Sequence, residues 1–573
     1  MTAPWEYRDP LEPEMAAEVS AATLMAHVQA IGSLERESGS AGEAQAFDYI
    51  ERALKSYGVE VERRTIEAYI SLPEAAHLTL ADGVTLSGLT HAFSTSVEGL
   101  EAELVDVGDG RPEDLARAAG KFALIRGLAT PGKAWAAQQA GVLGHIHVLM
   151  DHLHNMIVTT IWGTPGPETA DRIPALPCLS VLGTDGERLR ALLAAGPLRV
   201  KITTRVRTGW MPIPHLVGEL AGRREDRFLL LSGHVDSWHY GAMDNGTANA
   251  TMLEVARLLA ARRDRLRRGI RLAFWSGHSH GRYAGSAWYA DHAWRDLHQR
   301  CVVHLNVDST GARGATDYSV LHATEDAAAF AEQVVADVTG QRGRGRRFSR
   351  AGDQSFWGAG VPSAFMSLSG LPKQDTELSR TMERLVGSAG FPWWWHTKDD
   401  TIDKIDAGVL ALDTKVYLAS ALRWLNAPVL PLDHTRAAQS LLAELEALQA
   451  AAGARFDLTP ALDAARGLRD RLERLAELVA KAPEARHEAL NRGLMRLSRL
   501  LIALAYTSGD RFTHDLALPL PPLAGLQRAR DLGALDPDGD AVKFARAALV
   551  RERNRAVHAL DSAASVADDL LQS

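Results

Sequence analysis

Three short, almost unbroken apolar runs constrain the fold of this chain more than any other feature. They are FLLLS at 228–232, IRLAFW at 270–275 and CVVHLNV at 301–307, and residues 249–266 after the first run have the pattern of an amphipathic helix. Runs of this length are typical of strands buried on both faces, and such strands separated by helices form mostly parallel sheets. The sequence therefore predicts an α/β fold around a mostly parallel sheet.

The pattern changes on both sides of this region. Residues 76–207 contain shorter strand-like runs, such as KFALIRG and LPCLSVL, between helix-like ones, which predicts a small inserted α/β domain. After residue 428, apolar residues recur three and four apart, which predicts a helical bundle. The predicted domains are 1–75 with 208–428, then 76–207, then 429–573. Core packing is the favoured interpretation of the helical stripes, and an oligomer interface would use the same pattern.

Charge, cysteine count and hydropathy exclude several classes of protein. The net charge is −8 over 573 residues with no long run of one sign, so we expect neither nucleic acid nor a membrane surface as partner. Two cysteines, Cys178 and Cys301, cannot supply a disulfide framework. No apolar run approaches the roughly 18 residues of a membrane span. The N-terminal segment lacks the pattern of a secretory signal, so we expect a cytoplasmic protein.

Residues that can bind metals follow several of the predicted strands. The carboxyl ends of parallel strands meet at one edge of a sheet, where α/β proteins bind ligands. A mixture of imidazole nitrogens and carboxylate oxygens suits zinc and related transition metals. Taken singly, each residue has an ordinary structural explanation, and the ordered set is what indicates a site. The candidates in chain order are His234, Asp236, Asp244, His278, His280, Asp308 and His396.

This ordered set resembles the co-catalytic zinc exopeptidases of the aminopeptidase and glutamate carboxypeptidase II type. The motifs that carry the resemblance are GHVDSWHYGAMDNG, IRLAFWSGHSHGRYAGS, HLNVDSTG, GDQSFWGAGVPSAF and WHTKDDTIDKID. The insert is similar to the family's protease-associated domain, and the tail is similar to the helical dimerisation domain of glutamate carboxypeptidase and the transferrin receptor. The resemblance implies a zinc-exopeptidase (phosphorylase/hydrolase-like) α/β domain, a protease-associated insert, a C-terminal helical bundle and a homodimer.

The resemblance also implies a role for each candidate residue. His234, Asp244 and Asp308 would hold one zinc ion. Asp244 would bridge to a second ion, which His396 would help to hold. Asp236 would accept a hydrogen bond from His234 and so orient the imidazole, as partners of metal-binding histidines do.

The chain departs from the family in the loop after IRLAFW. The family has two adjacent glutamates there, a general base and a ligand of the second metal, whereas this chain has His278, Ser279 and His280. An imidazole can replace either group, because histidine binds transition metals and also transfers protons near neutral pH. We expect both rings to face the site from an irregular loop, one as a metal ligand and the other in proton transfer. The sequence leaves open which ring has which role, and Ser279 is a third candidate.

The leading hypothesis for function is hydrolysis of an amide or peptide-like bond in a small substrate. One or two zinc ions, or another transition metal, would activate a water that a histidine of the HSH segment deprotonates. Because the glutamate base is missing, a metal-dependent lyase is an alternative. A non-catalytic binding protein of transferrin-receptor type is another, since the fold alone does not confer activity. The expected partners are a small or short peptide-like substrate and a second copy of the chain.

Overall fold

The fold is described from a computed structural model, which covers residues 3–149, 152–385, 387 and 390–572. Eleven strands of this part form one hydrogen-bonded sheet, and two more form a small parallel pair, β11 with β12. The strands are β1 (Glu60–Leu80), β2 (Thr85–Thr90), β3 (Val97–Asp106), β4 (Phe122–Arg126), β5 (Gly144–Val148), β6 (Cys178–Val181), β7 (Leu198–Leu220), β8 (Phe228–His234), β9 (Gly269–Trp275), β10 (Cys301–Asn306), β11 (Val320–His322), β12 (Arg344–Arg346) and β13 (Ser363–Ala364).

Helices connect these strands and form the C-terminal part of the chain. Within the described residues they are α1 (Glu12–Ala17), α2 (Ala21–Gly32), α3 (Ala41–Ser56), α4 (Pro112–Leu115), α5 (Pro131–Gln139), α6 (Gly183–Ala195), α7 (Ala248–Ala260), α8 (His278–Gly281), α9 (Ala284–His292), α10 (Trp294–Arg300), α11 (Ala328–Thr339), α12 (Glu377–Leu385), α13 (Ala407–Asn426), α14 (His434–Ala452), α15 (Thr459–Val479), α16 (His487–Tyr506) and α17 (Asp540–Gln572).

The part of the large sheet that carries the candidate residues has the strand order β1-β7-β9-β8-β10-β13. The strands β9, β8, β10 and β13 are parallel to one another, β7 pairs antiparallel with β9, and β1 pairs antiparallel with β7. Leu229 and Leu231 of β8 lie in one apolar core with side chains of α3, α7 and α13, whereas Phe228 and Leu230 lie in another with α9 and α10. Helices therefore cover both faces, and the predicted α/β class is confirmed.

The strands β1 and β7 are the longest and belong to both halves of the sheet. They pair antiparallel along almost their full length, with one irregularity between Pro73 and Ala75. Beyond this irregularity, the other ends of the two strands close a seven-stranded sheet on itself, in the order β1-β2-β6-β5-β4-β3-β7. We refer to this closed sheet, which corresponds to the insert predicted from the sequence, as the inserted domain; backbone hydrogen bonds of β1 and β7 join it to the rest of the large sheet.

The C-terminal part consists of α14 to α17 and a 3-10 segment at Ala524–Ala534. Their apolar stripes face inward, since α15 and α17 pack along each other and α16 packs on α17. No helix in the described ranges is both long enough and apolar enough to cross a membrane. The stripe residues that are buried include Leu462, Ala465, Leu468, Leu472, Leu475, Leu494, Leu497 and Leu501.

Candidate metal centre

The candidate residues meet at the carboxyl ends of β8, β9 and β10. His234 is the last residue of β8, while His278 begins α8 just after β9, and Asp308 lies just beyond β10. One potential ligand atom from each of these three residues lies within 4.8 Å of the other two. Because the three strands are parallel, their ends bring these side chains together at one edge of the sheet.

The Asp244 carboxylate lies between two imidazoles. Its Oδ1 is 3.1 Å from Nε2 of His234, and its Oδ2 is 3.2 Å from Nε2 of His396. His234 Nε2 is also 3.8 Å from Asp308 Oδ2. A carboxylate with one oxygen towards each imidazole has the placement of a ligand shared by two adjacent ion positions.

The other nitrogen of each imidazole is held by an oxygen. Nδ1 of His234 donates to the Asp236 carbonyl at 2.8 Å, and Nδ1 of His396 donates to the Asn155 carbonyl at 2.7 Å. Nδ1 of His278 is 2.8 Å from a carboxylate oxygen of Asp353. Histidines that bind metals are normally held in this way, because the bond at Nδ1 fixes the ring and leaves the Nε2 lone pair free.

The residues fit a dication. His234 Nε2 is buried and makes no hydrogen bond of good geometry with the described residues. Burial alone would lower the pKa of His234, but the adjacent Asp244 outweighs it and raises this pKa to about 10. Burial, together with the charge of Asp244, raises the pKa of Asp308 to about 6. A dication relieves both effects, since it favours an ionised Asp308 and a neutral His234.

The HSH segment is a helical turn, α8, and not the irregular loop expected from the sequence. Residues two apart on a helix do not face each other, so only His278 faces the candidate ligands. His280 is fully buried elsewhere: its Nδ1 accepts a hydrogen bond from the Ser38 N–H at 3.3 Å, and its ring lies 4.2 Å from that of Trp238. The expectation that both rings face the metal is therefore corrected, and His280 lies outside the group.

Asp236 supports the site differently from the sequence expectation. Its backbone carbonyl receives the hydrogen bond from His234, whereas its carboxylate Oδ1 is 3.7 Å from His234 Nδ1. The carboxylate instead accepts hydrogen bonds from the N–H groups of His278 at 3.2 Å and Ser279 at 2.8 Å. It thus satisfies the free N–H groups at the start of α8 and sets the direction of His278.

Two buried residues that the sequence did not single out hold the Asp244 loop. Asp400 accepts hydrogen bonds from the N–H groups of Met243 at 2.9 Å and Asp244 at 3.0 Å, and burial raises the pKa of Asp400 to about 7. The guanidinium of Arg36 donates to five backbone carbonyls, those of Ile31, Leu34, Val235, Tyr240 and Gly241. The contacts of Asp400 with Met243 and Asp244, and those of Arg36 with Val235, Tyr240 and Gly241, leave no signal in a single sequence, because these partners are more than 150 residues apart in the chain.

The inserted domain also supports the site. The Asn155 N–H donates to the His396 carbonyl at 2.9 Å, and the Asn155 carbonyl accepts from His396 Nδ1, so the two backbones hold each other. Trp395 stacks on the His396 ring with the centroids 3.5 Å apart, and it is buried. Trp393 is 42% exposed and is the large aromatic side chain of this run that faces the surface.

The fold and this group of residues are those of a class of protein: a hydrolase of the zinc metallopeptidase type, with candidate metal ligands at the carboxyl ends of strands in an α/β sheet. The comparison with known families agrees. Residues 215–420 match the model of peptidase family M28, and this match confirms the predicted relationship to the zinc exopeptidases of the aminopeptidase and glutamate carboxypeptidase type.

Curated relatives carry the same class of names. A probable glutamate carboxypeptidase, VP8 of Zea mays, is 24% identical over 518 residues, which cover 75% of this chain and 70% of that protein. The aminopeptidase NAALADL1 of Mus musculus is 26% identical over 310 residues, which cover 49% of this chain and 41% of that protein.

Solved structures share the fold. An aminopeptidase from Aneurinibacillus sp. strain AM-1 gives a TM-score of 0.55 at 21% identity, covering 72% of this chain and 96% of that one. A peptidase M28 precursor from Shewanella amazonensis gives a TM-score of 0.57 at 20% identity, covering 73% of this chain and 97% of that one.

Proposed function

We propose that this protein hydrolyses a peptide-like bond in a small substrate, with a zinc ion held by His234, Asp244 and Asp308. We assign proton transfer to His278. The observation that carries this assignment is the hydrogen bond of His278 Nδ1 to the buried Asp353 carboxylate, beside the candidate ligands. The His278 side chain remains 12% exposed, which a group that meets substrate requires.

Ring geometry favours proton transfer over metal binding for His278. Its ring lies parallel to that of His234, with 3.7 Å between centroids and 12° between planes. An imidazole lone pair lies in the plane of its ring, so two rings stacked face to face do not aim lone pairs at one ion. His278 is therefore better suited to exchange a proton than to share an ion with His234.

The proposed chemistry follows from these roles. A zinc ion bound at His234, Asp244 and Asp308 would polarise the substrate carbonyl and acidify the attacking water. His278 Nε2 would take a proton from that water as its oxygen bonds to the carbonyl carbon, and would pass the proton to the leaving nitrogen as the C–N bond breaks. Asp353 would stabilise the imidazolium between these steps, and the Ser286 hydroxyl holds Asp353 through a bond of 2.7 Å.

The second ion position has a weaker set of ligands. Asp244 and His396 are the two candidate ligands assigned to it, with 3.2 Å between Asp244 Oδ2 and His396 Nε2. Structural zinc sites have four protein ligands and catalytic sites usually have three. We therefore propose one firmly held zinc at this centre, with a second ion bound more weakly.

The proposal also covers the substrate class, the oligomeric state and the location of the protein. The relatives are named aminopeptidases and glutamate carboxypeptidases, so short peptides and N-acyl amino acids are the first compounds to test. The helical tail resembles a dimerisation domain, so we propose a homodimer, which sedimentation velocity would test. Cytoplasmic location is likewise part of this proposal, and cell fractionation would test it.

The deciding experiment combines turnover and zinc content. Zinc-loaded protein is screened against dipeptides, N-acyl amino acids and simple amides in oxygen-18 water, with products identified by mass spectrometry. The expected result is a labelled carboxylate product. Turnover without label would favour the lyase, and no turnover with a fully loaded centre would favour a non-catalytic protein; either outcome overturns the proposal.

Variants then separate the roles of the two stacked histidines. His234→Ala should lose one zinc equivalent together with activity, whereas His278→Ala should keep that zinc and lose activity. His292→Ala, at an exposed histidine of α9, is the matched control and should change neither. Loss of zinc from His278→Ala would overturn the assignment of proton transfer.

A further inference from the structure

A second cluster of potential ligands lies in the inserted domain, on strands other than those that carry the residues assigned to catalysis. His145 and His147 are two apart on β5, so their side chains lie on the same face of the sheet. Cys178 of the adjacent strand β6 is the direct partner of His145 in the ladder. One potential ligand atom from each of the three residues lies within 4.8 Å of the other two.

The cluster is enclosed by protein. His145, His147 and Cys178 are 1%, 0% and 0% exposed, so no bulk water supports their polar atoms. Cys178 belongs to the apolar cluster that also contains Ala134 of α5 and Trp395, the residue stacked on His396. Three polar side chains from two adjacent strands are thus gathered in the protein interior, at a cost that requires compensating bonds.

A chain of hydrogen bonds joins the two imidazoles of this cluster to the backbone. His147 Nδ1 donates to the Gly127 carbonyl at 3.2 Å, and its Nε2 accepts from His145 Nδ1 at 2.9 Å, so a bound cation would replace the bond between the two imidazoles. His91, next to them, bonds to the Ser180 hydroxyl through Nε2 at 2.8 Å. Its buried Nδ1 makes no hydrogen bond with any part of the chain that the structure describes.

The protonation states suit metal binding. Burial lowers the pKa of His145 to about 4 and that of His147 well below its ordinary value, so both rings are neutral near pH 7. Burial also raises the pKa of the Cys178 thiol, so a bound cation has to displace the thiol proton. Neutral imidazoles with a cysteine sulfur form a ligand set that selects zinc or copper over magnesium or calcium.

We propose that His145, His147 and Cys178 form a second, structural zinc site in the inserted domain. Two imidazole nitrogens on a tetrahedral zinc ion lie about 3.3 Å apart, so the observed 2.9 Å between His145 Nδ1 and His147 Nε2 requires only a small opening of the pair. Binding breaks the S–H bond, releases that proton to solvent, and moves the His145 proton from Nδ1 to Nε2. His91 Nδ1 is the candidate for the fourth ligand.

Sulfur gives this site a signature that the catalytic centre lacks. The candidate ligands at the carboxyl ends of β8, β9 and β10 are imidazoles and carboxylates, and the chain has only two cysteines. A zinc–sulfur distance of about 2.3 Å differs clearly from the roughly 2.0–2.1 Å of zinc–nitrogen bonds. In zinc X-ray absorption of the purified protein, expressed in zinc-supplemented medium, a zinc–sulfur shell therefore reports on a site that contains a cysteine, and the cysteine variants identify which one.

The expected spectrum has a zinc–sulfur shell that remains in His234→Ala and is lost in Cys178→Ser. Cys301→Ser is the matched control, because Cys301 is also buried but its sulfur bonds to the Val303 carbonyl at 3.4 Å. This control also assigns the sulfur by elimination if Cys178→Ser does not fold. A wild-type protein without a sulfur shell, or a shell that Cys301→Ser removes, would overturn the proposal. Neither result depends on whether the protein is a hydrolase.

Discussion

The hydrogen bond between His278 and Asp353 provides the sharpest test of the proposed mechanism. Asp353 is 1% exposed, accepts from His278 Nδ1 at 2.8 Å and receives the Ser286 hydroxyl at 2.7 Å. Asp353→Asn keeps the shape of the side chain but removes the charge that stabilises an imidazolium at His278. A hydrogen bond to a charged group contributes about 1.5–3 kcal/mol. At about 1.36 kcal/mol for each factor of ten in rate, kcat should fall roughly 10- to 150-fold.

The measurement is kcat and KM on the best substrate found, with zinc content determined on the same samples. We expect kcat to fall while KM and zinc content stay near their wild-type values, because Asp353 touches neither the assigned zinc ligands nor the substrate directly. Asp291→Asn is the matched control, since Asp291 makes a similar bond of 2.9 Å to His514 on the surface. Unchanged kcat, or a loss of zinc that parallels the loss of activity, would refute the reasoning.

Three further predictions concern stability. In the metal-free protein the pKa of His234 is raised to about 10 from 6.5, so the contact with Asp244 stabilises the fold fully below pH 6.5 and is lost as the pH rises through 10. The free energy of unfolding in urea should therefore fall more steeply over this range than in His234→Gln, and equal slopes would contradict the prediction. Arg36→Lys leaves at least two of the five carbonyls without a donor, three of whose bonds to Arg36 are buried, and should lower the free energy of unfolding by about 3 kcal/mol; a change below about 1 kcal/mol would show that the loop is held by other contacts. Leu231→Ala, in the middle of β8, should cost about 2–5 kcal/mol by thermal unfolding, and a wild-type melting temperature would contradict the description of the core.

The fold class was predictable because it depends on local patterns. Unbroken apolar runs such as 228–232 can only be buried on both sides, and helices on both faces of β8 satisfy that requirement. The closure of the inserted sheet was not predictable, because it depends on the pairing of β1 with β7 over more than a hundred residues of intervening chain. A single sequence shows the two strands but not their register.

The residues of the candidate site also differ in whether local sequence patterns could predict them. Residues directly after strands, such as His234 and Asp308, could be identified because the ends of parallel strands meet at one edge. The roles of Asp353 and Asn155 could not be identified in this way. Asp353 contacts His278 across 75 residues of chain, and Asn155 contacts His396 across 241. The direction of His280 was missed because four residues are too few to reveal a helical period, and the turn ends at Arg282 in the left-handed region, with φ of 48°.

The long pairing of β1 with β7 limits which deletions and domain replacements this chain can tolerate. Excising the inserted domain would cut both strands in mid-length and would also remove Asn155, the backbone clamp on His396. A shortened chain would keep His234, Asp244, Asp308 and His396 in its sequence. The His396 imidazole, however, would lose the carbonyl that fixes its direction. Grafting a foreign domain at this position would succeed only if it continued both strands in register and supplied a carbonyl at the same place.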